Sequence, residues 1–260
     1  MSALDRLPVW AIYLLSAGLV LLTAEFGFRL GARLRRRDPR FMQGSTPIAE
    51  MAGLLGLLGL LLAFSISIAV NHYDTRRGLV VADANAIMTT YLRTSFLGEP
   101  DRTHARDLLR EYVDLRLSAL DPTKLEEARG RSEEIHVQLW SIVERQVGQN
   151  PDVGTAKLFA DAVNPMFDTY SQRLAAVSSL RLQPHMWQML YGTAALTFML
   201  IGLVSSVDGN RNASVWILLA LVLAAILMLI ADLDRSQGGL LTVSQQALLD
   251  LQRQFATPAP

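Results

Sequence analysis

The chain has 260 residues, no cysteine, and equal numbers of basic and acidic side chains, 24 of each. Without cysteine there are no disulfides, thiolate metal sites or cysteine nucleophiles, and a formal charge of zero gives no global field to gather nucleic acid. With 51% hydrophobic and 18% charged residues, and a mean hydropathy of +0.26, the chain is too apolar for an ordinary soluble domain and too charged to lie in lipid throughout.

The first apolar run is Pro8 to Phe28, with Trp10 and Tyr13 suited to a membrane interface at its start. Its leading flank, Asp5 and Arg6, carries no positive cluster, and no small-residue cleavage site follows. It reads as an uncleaved membrane span. Arg29 to Arg40 then reads as a basic loop, with six arginines against Asp38. By the positive-inside rule it should face the cytoplasm. Pro39, Gly44 and Thr46-Pro47 break the chain before the second span.

Met51 to Asn71 has no charged residue and is long enough to cross a hydrocarbon core, which needs roughly 20 residues. At His72-Tyr73-Asp74 the polarity changes, and Arg76-Arg77 follow with no proline before Pro100. The helix is therefore expected to continue into a polar region. Gly59, Ala63 and Ser67 share one face, a small-residue pattern that lets helices approach closely in lipid. Leu60, Phe64 and Ile68 share another. That apolar stripe reads as packing or lipid contact, or else as a constriction lining a pore.

From Asp74 to about Met186 the chain is polar and helical in period. Gly98-Glu99-Pro100-Asp101 reads as a stop and restart. Leu108, Leu109, Tyr112, Val113 and Leu117 form the apolar face of the next helix. Asp121-Pro122 reads as a cap and first turn for a charged helix to about Val147, with Leu139, Trp140, Val143 and Val147 as its apolar side. Gly148 to Pro151 reads as a turn. A last helix, about Asp152 to Leu182, carries an interior proline, Pro165. Trp187 to Val207 and Ser214 to Ala231 read as two further spans joined by a tight turn, Asp208 to Asn212. A short amphipathic helix, Leu240 to Phe255, follows Gly238-Gly239 and precedes a tail, ATPAP, that is expected to be disordered.

The expected fold is all-α: an integral membrane protein with four transmembrane helices and a helical bundle inserted between spans two and three. Its parts are a transmembrane hairpin over 1–73, a polar helical domain over 74–186, a second hairpin over 187–231, and an amphipathic helix and tail over 232–260. Four spans put both termini and the polar domain on one side, opposite the arginine loop.

Two groups of charges mark membrane ends. Arg76 and Arg77 end span two on the side where Asp232, Asp234 and Arg235 end span four. They read equally as a clasp or as a charged ring at a pore mouth. Glu25 and Glu50 lie at the opposite boundary, and Glu25 is four residues before Arg29, a spacing that favours simple ion pairing. The four histidines lie far apart, and no phosphate-binding glycine loop, nucleophile elbow or metal-ligand spacing appears. Neither an enzyme nor a cofactor is expected.

The stretch LLGLLLAFSISIAVNHYDTRRGLVVADANAIMTTYLR resembles the core of the bacterial bestrophin-like family, and DLDRSQGGLLTVSQQALLDLQ resembles its second signature. A more distant resemblance links these proteins to bestrophins, pentameric anion channels with four spans and an apolar neck on the second. It implies an oligomeric membrane protein that passes ions, with Leu60, Phe64 and Ile68 at the neck, although two of the three are not aromatic. It also implies a polar domain inside the cell, opposite to what the arginine loop predicts. The expected partners are the lipid bilayer, further copies of the chain and anions, with no nucleic acid. The expected location is a bacterial inner membrane. The alternative is a non-conducting sensor or scaffold that relays a state of the helical domain to the membrane.

Overall fold

The computed structural model describes residues 7–38, 48–149, 154–207, 213–235 and 239–256. Several expected features lie outside them: the Asp5-Arg6 flank, the break between Pro39 and Pro47, the Asn150-Pro151 turn, the Asp208–Asn212 turn, Gly238 and the tail beyond Ala256. The described elements are all helical: α1 Val9–Arg37, α2 Ile48–Arg93, a 3-10 turn Thr94–Phe96, α3 Asp101–Ser118, α4 Leu125–Gln149, α5 Gly154–Ser179, α6 Pro184–Val207, α7 Ala213–Asp234 and α8 Gln246–Ala256. Four helical stretches are long and apolar enough to cross a membrane.

α1 runs well past the expected end of its span. Residues 29–37, expected as loop, complete the helix. Arginine is a good helix former, and Arg35, Arg36 and Arg37 in the last turn complement the negative end of the helix dipole. Glu25 receives the Arg29 Nε–H at 2.6 Å one turn away. α2 is 46 residues long and passes from the apolar segment into the polar one without interruption.

Contacts divide the chain into two units. The first comprises Met1–Tyr73 and Leu180–Thr242, the second Asp74–Ser179 and Val243–Pro260. In the first, Ile12, Val20, Ala24, Leu58, Leu62, Leu190, Phe198, Ala220, Leu227 and Ile230 form the buried cluster. Its tightest seam lies between α1 and α6. A Cβ built on Gly27 would sit 1.9 Å from the Met199 carbonyl oxygen. One on Gly31 would sit 2.1 Å from Ser206 Oγ, and one on Gly202 1.9 Å from the Ala24 carbonyl oxygen. Only glycine permits that approach, and dispersion contact between bare backbones is what holds helices together in lipid. Arg235 donates to the Leu7 carbonyl oxygen and so ties the end of α7 to the start of α1.

The second unit is a bundle whose core is Val80, Ile87, Leu109, Tyr112, Ile135, Leu139, Ile142, Phe159, Val163 and Met166, with Leu248, Leu251 and Phe255 from α8. The helical periods of α3, α4 and α5 put these residues inward. Trp140, expected in the core, is 38% exposed instead. Phe167 is partly buried and lies against His136, with ring centroids 4.2 Å apart. Asp121 does not cap α4. Its Oδ1 accepts the Thr123 N–H at 2.9 Å and the Thr123 hydroxyl at 2.7 Å, which makes a local turn four residues before the helix begins. Asp101, the first residue of α3, joins that end to α4 through Arg145 at 2.9 Å and Gln146 at 2.8 Å. Pro165 sits inside α5 without ending it.

Candidate functional site

Two residues of the apolar stripe of α2, Leu60 and Phe64, stand outward, and the third, Ile68, packs against the buried cluster of its unit. Leu60 is 52% exposed and Phe64 60% exposed, and Ile68 is half-buried. Gly53, Gly56 and Gly59 have no atom within 4 Å of a built Cβ. The small face of α2 is therefore not spent on packing inside the chain, where Gly27, Gly31 and Gly202 do that work. On the opposite side of the same segment Leu58, Leu62, Ser65 and Ala69 are buried. This side of α2 seats the helix in its unit and leaves Leu60 and Phe64 outward.

At the end of α7 the carboxylates are anchored to backbone. Asp232 accepts the N–H groups of Leu240 and Leu241, one on each oxygen, both at 2.9 Å. Gly239 lies so close that a Cβ there would be 2.3 Å from Asp232 Oδ1. Asp234 accepts the Leu182 N–H at 2.6 Å, with the Arg181 guanidinium 3.9 Å away. Both carboxylates are buried. Buried carboxylates need such donors, because an unpaired one costs several kcal/mol. Asp232 thus ties Leu240 and Leu241 to the end of α7, and Asp234 holds the start of the segment leading into α6. Arg76 is buried and Arg77 exposed, both in the other unit. Glu25 is held by Arg29, and Glu50 lies exposed in the first turn of α2, where a carboxylate suits the helix dipole.

Sequence reasoning missed a buried ionic cluster in the second unit. Asp83 is fully buried. Its Oδ2 accepts from Arg116 Nε at 3.1 Å and from Arg173 Nη1 at 2.5 Å. Arg173 also donates to Gln245 Oε1 at 3.3 Å. The Arg116 guanidinium lies over the Tyr170 ring at 5.0 Å and the Tyr112 ring at 5.9 Å. Tyr112 Oη pairs with His136 Nε2 at 3.2 Å. Burial pushes both phenols above their ordinary value, so they stay neutral. The signal in the sequence was Asp83 beside Ala82 and Ala84 on the second-span helix, with Arg116 inside an apolar period. Neither says which charges converge.

Burial, reinforced by the Arg116 charge, pushes His136 down to about 4. Asp83 and Glu133 act against that shift. With a folded value below the unfolded 6.5, neutral His136 contributes stability above pH 6.5. That contribution is lost as pH falls toward 4, because the unfolded chain takes up the proton first. Allowing for its partial exposure, the expected loss is about 1–2 kcal/mol. A series of thermal unfolding midpoints from pH 7.5 to 4.5 should fall less steeply in His136→Gln; identical slopes would contradict the assignment.

A search of curated proteins finds no match. A solved crystal structure of a membrane protein superposes with a TM-score of 0.69 at 13% sequence identity, covering 92% of this chain and 97% of that one. At that identity the likeness is one of fold. The family model described as the Bestrophin-like domain matches residues 13–248, from near the start of α1 into α8. The chain is therefore a membrane protein of the Bestrophin-like family.

Proposed function

We propose that the chain assembles with further copies of itself into an ion pathway lined by α2, with Leu60, Phe64 and Ile68 as its apolar constriction and anions as the permeant species. The observation that carries this reading is the outward stripe of α2. Leu60 and Phe64 are more than half exposed, beside glycines with open space around them. In a membrane such a face meets lipid, another helix or a water-filled path. Small residues beside large apolar ones suit helices gathered closely about an axis, and an apolar ring of that kind gates by dewetting. Membership of the family gives the reading its direction.

Planar-bilayer recording of the purified protein tests it. Wild-type protein should carry current, and Phe64→Ala, which widens and wets the constriction, should raise the conductance several-fold. Silence from both proteins would count against ion passage.

The non-conducting reading draws support from the way Asp232 and Asp234 are committed to backbone amides. Those carboxylates act as structural ties and are not free to form a charged ring. Native mass measurement separates the two readings, because a relay is expected as a monomer or dimer and a pathway as a higher oligomer. No catalytic role is proposed.

A further inference from the structure

We propose that the Asp83–Arg116–Arg173 cluster is a binding site for a small oxyanion. Three observations within the second unit support it. First, the charges do not balance. Two guanidinium groups share the Oδ2 atom of one carboxylate, which leaves one largely buried positive charge in excess. The neighbouring Arg129–Glu133 pair, 3.2 Å apart and exposed, is neutral by itself. Buried charges left unpaired are costly, and a bound monovalent anion offsets that cost.

Second, donors outnumber acceptors. Arg116 uses only Nε on Asp83, and among the described residues its Nη1 and Nη2 meet no acceptor. Tyr170 is 5% exposed, yet its hydroxyl is buried without a hydrogen-bond partner. Arg116 packs against this same ring. Native proteins rarely leave a buried hydroxyl unsatisfied, and this one, on a ring packed against a guanidinium whose two Nη groups stay open to an incoming ligand, points to a missing acceptor. A planar oxyanion edge, whether carboxylate or phosphoryl, matches the two Nη donors in the bidentate manner that a guanidinium favours. Asp83 Oδ1, also buried and unpartnered, offers an acceptor to any hydroxyl the ligand carries.

Third, the cluster has an edge in solution. The Arg116 and Arg173 side chains keep 9% and 16% of their surface exposed. The fork is fixed before any ligand arrives, since Asp83 holds Nε and the two phenol rings confine the guanidinium plane. Preorganisation of that kind lowers the entropy cost of binding. The inference does not depend on ion passage, because every residue in it belongs to the polar bundle.

The test is isothermal titration of the full-length protein in detergent with inorganic phosphate and, separately, with sodium acetate, at ionic strength held by sodium chloride. Wild-type protein should show saturable one-to-one binding of at least one of the two, and the arm that binds tells phosphoryl from carboxylate. Tyr170→Phe, which keeps the ring and removes only the hydroxyl, should weaken that binding about tenfold. Arg116→Lys, which keeps the charge and removes the fork, should abolish saturation. The proposal is overturned if neither salt binds saturably, or if Tyr170→Phe binds as tightly as wild type.

Discussion

Gly202→Ala is expected to destabilise the purified protein by about 3 kcal/mol, lowering its thermal midpoint in detergent by about 6–12 °C. The new methyl group would lie 1.9 Å from the Ala24 carbonyl oxygen and 2.9 Å from the Phe28 nitrogen. Both are backbone atoms of α1, so no rotamer change relieves the contact and the two helices must separate. Separation undoes the seam at Gly27 and Gly31 as well, because all three glycines serve one close approach. The same substitution elsewhere on α6 is the control. Gly192 has no atom within 4 Å of a built Cβ, and Gly192→Ala should leave the midpoint unchanged or raise it by the helix propensity of alanine, up to about 1 kcal/mol. Equal effects at the two positions would show that backbone contact between α1 and α6 is not what holds this unit.

Asp83→Asn is expected to cost about 3–5 kcal/mol in the second unit, because it leaves the buried Arg116 and the largely buried Arg173 without the one carboxylate they pair with among the described residues. Removing one partner of a buried pair is far more damaging than removing all of it. The triple variant Asp83→Leu, Arg116→Met, Arg173→Met should therefore recover most of the loss, since apolar side chains of similar volume replace buried ion groups at little cost. Chemical denaturation of the three proteins reads this directly. A loss below about 1 kcal/mol in Asp83→Asn would mean that water or other acceptors already serve the arginines.

Periodicity carried the larger part of the fold. The apolar runs at Pro8–Phe28, Met51–Asn71, Trp187–Val207 and Ser214–Ala231 lie within helices long enough to span a membrane. The three-and-four spacing of Leu108, Leu109, Tyr112 and Val113 marked the face that α3 buries. Failures came where composition suggested a loop but local physics favoured helix. The arginines after Phe28 looked like a loop because loops carry topological charge, yet arginine also extends and terminates helices well. That misreading hid the Gly27-x-x-x-Gly31 pattern, which straddles the assumed span end and makes the tightest contact of the membrane unit.

The candidate residues were legible to different degrees. Leu60 and Phe64 stood out by spacing, and exposure separates them from Leu58 and Leu62 on the buried side of the same helix. Asp232 and Asp234 stood out as charges at a membrane end, but their partners are backbone amides at Leu182, Leu240 and Leu241, which no side-chain pattern reveals. The Asp83 cluster was invisible. Its members are separated by 33 and 90 residues, and one sequence does not show which of 24 basic and 24 acidic side chains meet.

The central claim is that the outward stripe of α2 faces an ion path and not lipid. Because the chain has no native cysteine, a single introduced thiol is a clean probe. Phe64→Cys protein in liposomes, treated with a charged, membrane-impermeant thiol reagent during an ion-flux assay, is the measurement. Leu218→Cys, which substitutes a 64% exposed residue on α7, serves as the lipid-facing comparison. Expected is rapid block of flux at position 64 and none at position 218. Flux that persists unchanged after reagent treatment of Phe64→Cys, or equal block at both positions, would contradict it.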